Sequence, residues 1–149
     1  MSGIEKKIEK LGSLIKIRQI QLDQQLFELE KIRRRKEAAK AELLRTQTMY
    51  VKGIDRLNQE RQSPERLMLE ALENSIDLAK SLWHKRLMDL RDVELEERAQ
   101  ERCVAEAHKN KMMLEKLDGR YSADLNNHSK IVEQKQLDEF AVQAARRKI

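Results

Sequence analysis

Turn-forming residues are scarce in this sequence. Its 149 residues include four glycines and one proline, whereas average usage of about 12% would supply roughly 18. Five residues are aromatic, which is too few to fill a sizeable compact core. A β-sandwich, a β-barrel or a doubly wound α/β fold needs frequent turns, so the composition argues against all three.

Long apolar runs are missing as well. No stretch free of Asp, Glu, Lys and Arg exceeds six residues, whereas a membrane-spanning helix needs about 20 apolar positions. The N-terminus leads into alternating charge from Glu5 onward and not into an apolar run, which argues against a secretory signal. Cys103 is the only cysteine, so the chain can form no internal disulfide, and a lone thiol suits a reducing compartment. We therefore predict a cytoplasmic protein without a transmembrane segment.

Charged residues are abundant, and the apolar residues between them recur in a regular pattern. They make up 38% of the chain, against about 25% in an average protein. Apolar residues recur in alternating steps of three and four, which is the pattern of a coiled-coil seam. Eleven of 16 positions in the first seam are apolar, and the seam runs through positions 4, 8, 11, 15, 18, 22, 25, 29, 32, 36, 39, 43, 46, 50, 53 and 57.

The only proline marks the boundary between two predicted helices. Ser63 is a good N-cap, and Pro64 fits the first helical position, where its missing N–H costs nothing. We predict helix 1 at about 3–59, a turn at about 60–63 and helix 2 at about 64–146, with a possible kink near 118–127, where Gly and Asn are weak helix formers. The second seam is looser than the first and comprises apolar positions 69, 72, 76, 79, 83, 90, 93, 104, 107, 114, 121, 125 and 132, interrupted by polar residues at 86, 97, 100, 111, 118 and 128.

A short link makes the two helices antiparallel neighbours. Counted from Gln62, paired residues should have numbers that sum to about 125. In this register the basic run Lys31–Lys36 lies opposite Asp89, Asp92, Glu94, Glu96 and Glu97, so flanking charges favour the pairing. We predict an all-α fold, a long two-helix antiparallel coiled-coil hairpin with a longer second helix, in one domain spanning residues 1–149.

The second helix should extend about 25 residues past the start of the first. This extension has one apolar stripe at helical spacing, formed by Leu137, Phe140, Ala141 and Ala144. It is either a frayed, weakly amphipathic tail or a docking helix for another protein.

The residues offer little for catalysis or for cofactor binding. A catalytic site needs groups that converge in a partly desolvated pocket, and a two-helix hairpin has no room for one. No two of Cys103, His84, His108 and His128 have the spacing that places two metal ligands on one helical face. The basic run fans around its helix and faces acidic residues, which disfavours a nucleic-acid interface. We predict a non-enzymatic protein with no cofactor, metal, small-molecule substrate or nucleic-acid partner.

The layout resembles a known family. A seam helix, a link with a lone proline, a longer second helix and the stretch Glu133-Gln-Lys-Gln-Leu137-Asp138-Glu139, followed by alanines and basic residues, resemble the flagellar export protein FliJ family. The related injectisome stalk proteins of the YscO type share this plan. The resemblance covers the whole chain in layout, and its specific part is the Glu-Gln-Lys-x-Leu-Asp-Glu stretch.

The resemblance implies a stalk in a type III protein export apparatus that binds a hexameric export ATPase, a membrane-embedded export gate and export chaperones. It implies gate contacts at Leu43, Tyr50, Leu72, Ile76, Ala79 and Trp83, although Trp83 is larger than the residue expected there. By position and charge, the end that faces the ATPase includes Lys6, Lys7, Lys10, Arg146, Arg147 and Lys148. The resemblance also implies peripheral association with the inner membrane through the export apparatus.

Alternatives remain at this stage. The chain resembles flagellar and injectisome stalks alike. A general cytoplasmic coiled-coil scaffold that dimerises through the extension also fits the pattern, as does a basic protein associated with nucleic acid. Monomer and four-helix dimer are both compatible with the two seams.

Overall fold

The protein consists of two long α-helices that pack against each other. The computed structural model describes residues 2–61 and 66–147, so the predicted Ser63 cap and Pro64 start lie outside the described residues. Helix α1 spans Ser2–Glu60 and helix α2 spans Arg66–Arg147. The described residues contain no strand. The all-α hairpin with a longer second helix is therefore confirmed.

Both helices form because their sequences are rich in good helix formers and nearly free of breakers. Helix α2 remains helical throughout residues 118–127. Thr46 and Thr48 favour other conformations in isolation, but here their hydroxyls donate to the carbonyl oxygens of Leu43 and Leu44, at 2.9 and 2.8 Å. Both threonines are thereby accommodated within the helix.

The chain divides into two compact units, each with a segment of both helices. The first consists of Met1–Gln24 and Ala105–Ile149, and the second of Gln25–Val104. We call them the terminal unit and the central unit.

The predicted first seam is confirmed by burial. All sixteen of its positions are buried or half-buried, including the polar ones at Arg18, Gln25, Lys36 and Thr46. In the second seam, every predicted position from Leu69 to Leu125 is buried or half-buried. Among the described residues, six apolar side chains are buried, namely Leu11, Leu22, Leu29, Leu57, Leu90 and Val93. Each stabilises the fold by roughly 1.5–3 kcal/mol.

The last two positions of the predicted second seam are wrong. His128 and Val132 are exposed, and every residue from 130 to 147 is exposed. The Nζ of Lys7, near the start of α1, lies 5.5 Å from the ring centroid of Tyr121. The start of helix α1 therefore does not reach the part of α2 beyond residue 129. We call residues 130–147 the C-terminal segment.

The predicted register is right only to within about one to two helical turns. Gln25 and Gln100 form a hydrogen bond and satisfy the predicted sum of 125. Tyr50 stacks on Trp83, and these numbers sum to 133. Counting from the middle of the link cannot align two long helices more closely than this, because side-chain contacts choose among neighbouring turns. The pairs nevertheless run in opposite directions along the two helices, so the antiparallel order is correct.

Candidate partner-binding surfaces

The six predicted gate-contact residues all lie on the seam of the central unit. Leu43 and Tyr50 come from α1, and Leu72, Ile76, Ala79 and Trp83 come from α2. All six are half-buried. Each therefore packs between the helices and also presents part of its surface outward, so a core role and a contact role are compatible.

Trp83 is the centre of an aromatic stack. Its ring centroid lies 5.5 Å from that of Tyr50 and 5.4 Å from that of His84, with interplanar angles of 24° in both cases. Offset stacking at this distance stabilises such pairs beyond the area that they bury. The side chain of Trp83 is thus stacked against one ring from each helix.

Next to this stack, a groove opens between the two helices. Its volume is about 220 Å³, and it is lined by Met49, Gly53, Ser75, Ile76, Leu78, Ala79 and Leu82. Gly53, which has no side chain, lies on the α1 side of the groove. Met49 and Leu78 flank it and are largely exposed. Sequence analysis missed the groove, although a glycine at a seam position is a visible signal for one.

Ion pairs join the basic run of α1 to the acidic run of α2. Arg35 Nη1 lies 2.8 Å from Glu96 Oε2, and Lys36 Nζ lies 3.0 Å from Glu97 Oε1. Arg33 approaches Glu97 at 3.6 Å. Two of the five predicted acidic partners are thereby confirmed.

These ion pairs change the titration of their members. The hydrogen bond from Lys36 and its positive charge hold the pKa of Glu97 below the usual carboxyl value. Arg35 lowers the pKa of Glu96 in the same way. The same hydrogen bond from Lys36 to Glu97 raises the pKa of the Lys36 ammonium group. Part of the positive charge in the basic run is therefore neutralised within the protein.

A polar layer interrupts the seam in the central unit. Gln100 Nε2 donates to the backbone oxygen of Gln25 at 2.9 Å and to its side-chain oxygen at 2.7 Å. Both side chains are half-buried. A single polar pair in an apolar seam favours one register at some cost in stability.

The predicted ATPase-facing residues occupy two separate places in the terminal unit. Lys6, Lys7 and Lys10 are exposed near the start of α1, and Lys7 lies against Tyr121. Arg146 and Arg147 are exposed at the end of α2. Tyr121 and Arg146 are separated by about 38 Å along one continuous helix at 1.5 Å per residue. The structure does not bring the two clusters together, and Lys148 lies outside the described residues.

Other groups offer no converging chemistry in the part of the chain that the structure describes. No three His, Cys, Asp or Glu side chains come together there as a possible metal site. Cys103 is a free, exposed thiol. No described helix has both the length and the apolar character needed to cross a membrane.

The exposed faces of the helices are therefore the candidate functional surfaces. They comprise the half-buried seam around Trp83 with its adjoining groove, the lysines at the start of α1, and the C-terminal segment. Comparison of the chain with protein-family models, with curated proteins and with solved structures finds no match.

Proposed function

We propose that this protein is a non-enzymatic stalk of the flagellar type III protein export apparatus. In this role it links the hexameric export ATPase to the export gate and assists the handling of export chaperones. It acts in the cytoplasm and associates with the inner membrane only through the apparatus. The proposal rests on the family resemblance, to which the fold adds support.

The observation that carries the proposal is the arrangement of the two helices. Helix α2 has 82 residues and α1 has 59, and the Glu133–Glu139 stretch that carries the resemblance lies in the exposed part of α2. A motif on a solvated helix face does not contribute to the core. Its side chains are therefore available to a partner, as the stalk role requires.

The seam around Trp83 supports the assignment of the gate contact. A partner that docks on half-buried aromatic and aliphatic side chains gains apolar contact area without first unfolding the hairpin. The groove beside Gly53 adds a recess that accepts an apolar side chain from the partner.

The lysines at the start of α1 support the assignment of the ATPase contact. Three exposed positive charges within two helical turns attract an acidic protein surface. Such contacts mainly increase the rate of association and orient the partner.

The first test measures ATP hydrolysis by the cognate export ATPase, with sedimentation as a report of ring assembly. The wild-type chain should stimulate hydrolysis and promote hexamers. The variant Lys6→Glu/Lys7→Glu/Lys10→Glu should bind roughly tenfold more weakly, because each reversed rim charge costs a fraction of the binding free energy.

A matched control separates a local contact from net charge. The control variant is Lys80→Glu/Lys85→Glu/Lys109→Glu, at three exposed lysines of α2. It changes the net charge by the same amount and should leave the stimulation of ATP hydrolysis intact. If the wild-type chain neither stimulated nor co-sedimented with the ATPase, the stalk proposal would fail and a coiled-coil scaffold would remain. Equal losses in both triple variants would remove the assignment of the ATPase contact to α1.

A further inference from the structure

The groove beside Gly53 is part of a larger exposed apolar surface in the central unit. A second recess of about 410 Å³ adjoins it on α1, and the side chain of Met49 lines both. Leu44 lines the second recess, and Leu78 lines the groove. Leu44, Met49 and Leu78 are 64, 47 and 73% exposed. Adjoining exposed apolar side chains of this kind mark interaction surfaces. We call the groove together with this recess the docking face.

Three cations border the docking face. Lys52 lines the second recess directly. Arg56 follows Met49 by seven residues on α1, and Lys85 follows Leu78 by seven residues on α2, so each lies about 20° around its helix from that groove residue. All three cations are exposed, and none forms an ion pair with a described residue.

The acidic residues on this side of the hairpin are already paired. Glu42 and Asp89 lie there by the same seven-residue spacing, one on each helix. Glu42 is bound by Arg45 of its own helix at 3.0 Å, and Asp89 is bound by Arg86 of its own helix at 3.0 Å. These two carboxylates are therefore neutralised locally and do not balance the three cations.

The other nearby acidic residues lie on different faces. Within residues 49–56 and 75–85 they are Asp55 and Asp77. At about 100° per residue, Asp55 lies about 120° around α1 from Met49, and Asp77 lies about 140° around α2 from Leu82. Asp55 forms no ion pair with Lys52, three residues away. The docking face is therefore apolar with an excess of positive charge at its border, and such a surface attracts an acidic partner.

The backbone of the docking face determines which kind of segment can bind there. Both helices satisfy their backbone N–H and C=O groups internally, so the face offers no free row of these groups to which an extended peptide could add as a strand. An amphipathic helix needs no such row, because it binds a groove through apolar side chains spaced by three or four residues. The partner that fits is a helix that is apolar on one face and acidic at the flanks of that face.

A second copy of this chain does not fit the docking face. Two copies that met through it would bring the three cations of each copy together, and like charges across an interface oppose association. The charge pattern therefore favours a different, acidic protein.

We propose that the docking face binds an acidic amphipathic helix of the export gate. Apolar side chains of this helix enter the groove and the second recess, and its carboxylates meet Lys52, Arg56 and Lys85. The inference rests on the proposed function, in which the seam around Trp83 contacts the gate, and it adds the chemistry of the segment that the gate presents.

Equilibrium binding of the full chain to the cognate export-gate protein, purified whole in detergent, tests the charges. The dissociation constant should rise at least tenfold in a variant with three reversed charges, because each new carboxylate repels those of the partner. This variant is Lys52→Glu/Arg56→Glu/Lys85→Glu. Raising NaCl from about 0.05 to about 0.5 M should weaken wild-type binding several-fold through screening, and it should not weaken binding of the variant further.

A matched control separates these charges from net charge. The control variant is Arg91→Glu/Arg98→Glu/Arg102→Glu, at three exposed arginines of α2 in the central unit. It reverses the same number of charges and should bind the gate protein with wild-type affinity. Circular dichroism should show wild-type helix content in both triple variants, because all six side chains are exposed.

Single substitutions test the apolar part of the docking face. Leu78→Glu should raise the dissociation constant at least tenfold, because it places a charge at the edge of the groove. Leu95→Glu alters a leucine that is 61% exposed elsewhere on α2 and should leave the dissociation constant unchanged.

Photo-cross-linking identifies the segment that binds. The probe p-benzoylphenylalanine, in place of Leu78, should cross-link to one segment of the purified gate protein, and mass spectrometry of the product should give a sequence with acidic residues beside apolar residues at helical spacing. A cross-linked segment without acidic residues would contradict the proposal.

The outcomes separate this inference from the proposed function. Absence of binding by the wild-type chain would overturn the gate contact and the inference together. Binding that is unchanged in the charge-reversal variant and in Leu78→Glu would preserve the gate contact and overturn the inference. A loss in one of the two alone would contradict a partner that is both acidic and apolar. Wild-type binding to phosphatidylglycerol vesicles that the charge-reversal variant abolishes, without binding to the gate protein, would assign the face to anionic lipid instead.

Discussion

Gly53 is the one described glycine at which an added methyl group would meet a neighbouring side chain. A Cβ atom at this position would lie 3.2 Å from Ile76 Cγ1, whereas no heavy atom lies within 4 Å of the corresponding point at Gly119. No described glycine has a positive φ. Alanine can therefore adopt the backbone conformation at both positions, and the two sites differ only in packing.

Replacement of these glycines by alanine should stabilise the helices unequally. Gly119→Ala should raise the free energy of unfolding by about 0.5–1 kcal/mol, because alanine loses less conformational entropy in a helix. Gly53→Ala should raise it less, because Ile76 must shift to accept the new methyl group. Urea unfolding followed by circular dichroism measures both values. Equal gains would show that Ile76 yields without cost and that Gly53 does not limit the packing there.

The two helices are aligned by polar contacts as well as by their seam. The six buried apolar side chains are five leucines and one valine, and such similar residues allow several registers. The Gln25–Gln100 layer and the Lys36–Glu97 pair occur at one position each. Displacement of either helix by one turn would separate both pairs. The polar residues within the seam therefore favour the observed register.

The Lys36–Glu97 pair predicts how stability depends on pH. Because the pKa of Glu97 is lowered in the folded state from an ordinary value of 4.5, its contribution is complete above that value and is lost as the pH falls through the lowered pKa. The pKa of Lys36 is raised from 10.5, so its contribution is complete below that value and is lost as the pH rises through the raised pKa.

The variant Glu97→Gln should flatten the acid side of this profile. The melting temperature of the wild-type chain should fall as the pH drops below 4.5 and through the lowered pKa of Glu97, and the fall should be smaller in Glu97→Gln. The matched control is Glu106→Gln, at an exposed position of α2 where no ion pair with a described residue occurs. Identical slopes in wild type and Glu97→Gln would show that the pair does not couple folding to protonation.

Residues near the two ends of the chain are buried to different extents. The C-terminal segment is helical but exposed at every position from 130 to 147. The start of α1 contains Ile4 and Ile8, which are half-buried on the seam. The two ends of the protein therefore differ in what they contribute to the core.

Truncation should separate these contributions. A chain that ends at Ser129 should keep the free energy of unfolding of the full-length protein within about 0.5 kcal/mol. Removal of residues 2–9 instead deletes Ile4 and Ile8 from the seam and should lower the free energy of unfolding by a few kcal/mol. Urea titration at low protein concentration measures both. Comparable losses from the two truncations would contradict the view that the C-terminal segment has no role in the core.

Much of the candidate site could be located from the sequence, but not its detailed geometry. The seam positions of Leu43, Tyr50, Ile76 and Trp83 follow from steps of three and four. That Trp83 stacks on Tyr50, and that a groove opens beside Gly53, depend on which turn of α1 lies opposite which turn of α2. Two registers one turn apart bury similar apolar residues, so periodicity alone does not distinguish them.

The sequence by itself determined the helices, their seams and their antiparallel order. These are local properties, because side-chain spacing within a helix and the position of a link are set by residues near one another in the chain. Tertiary structure decided the register, the partners of the charged residues and the point at which α1 ceases to cover α2. It also decided which apolar faces remain exposed after the helices pair, because that depends on contacts between residues far apart in the sequence.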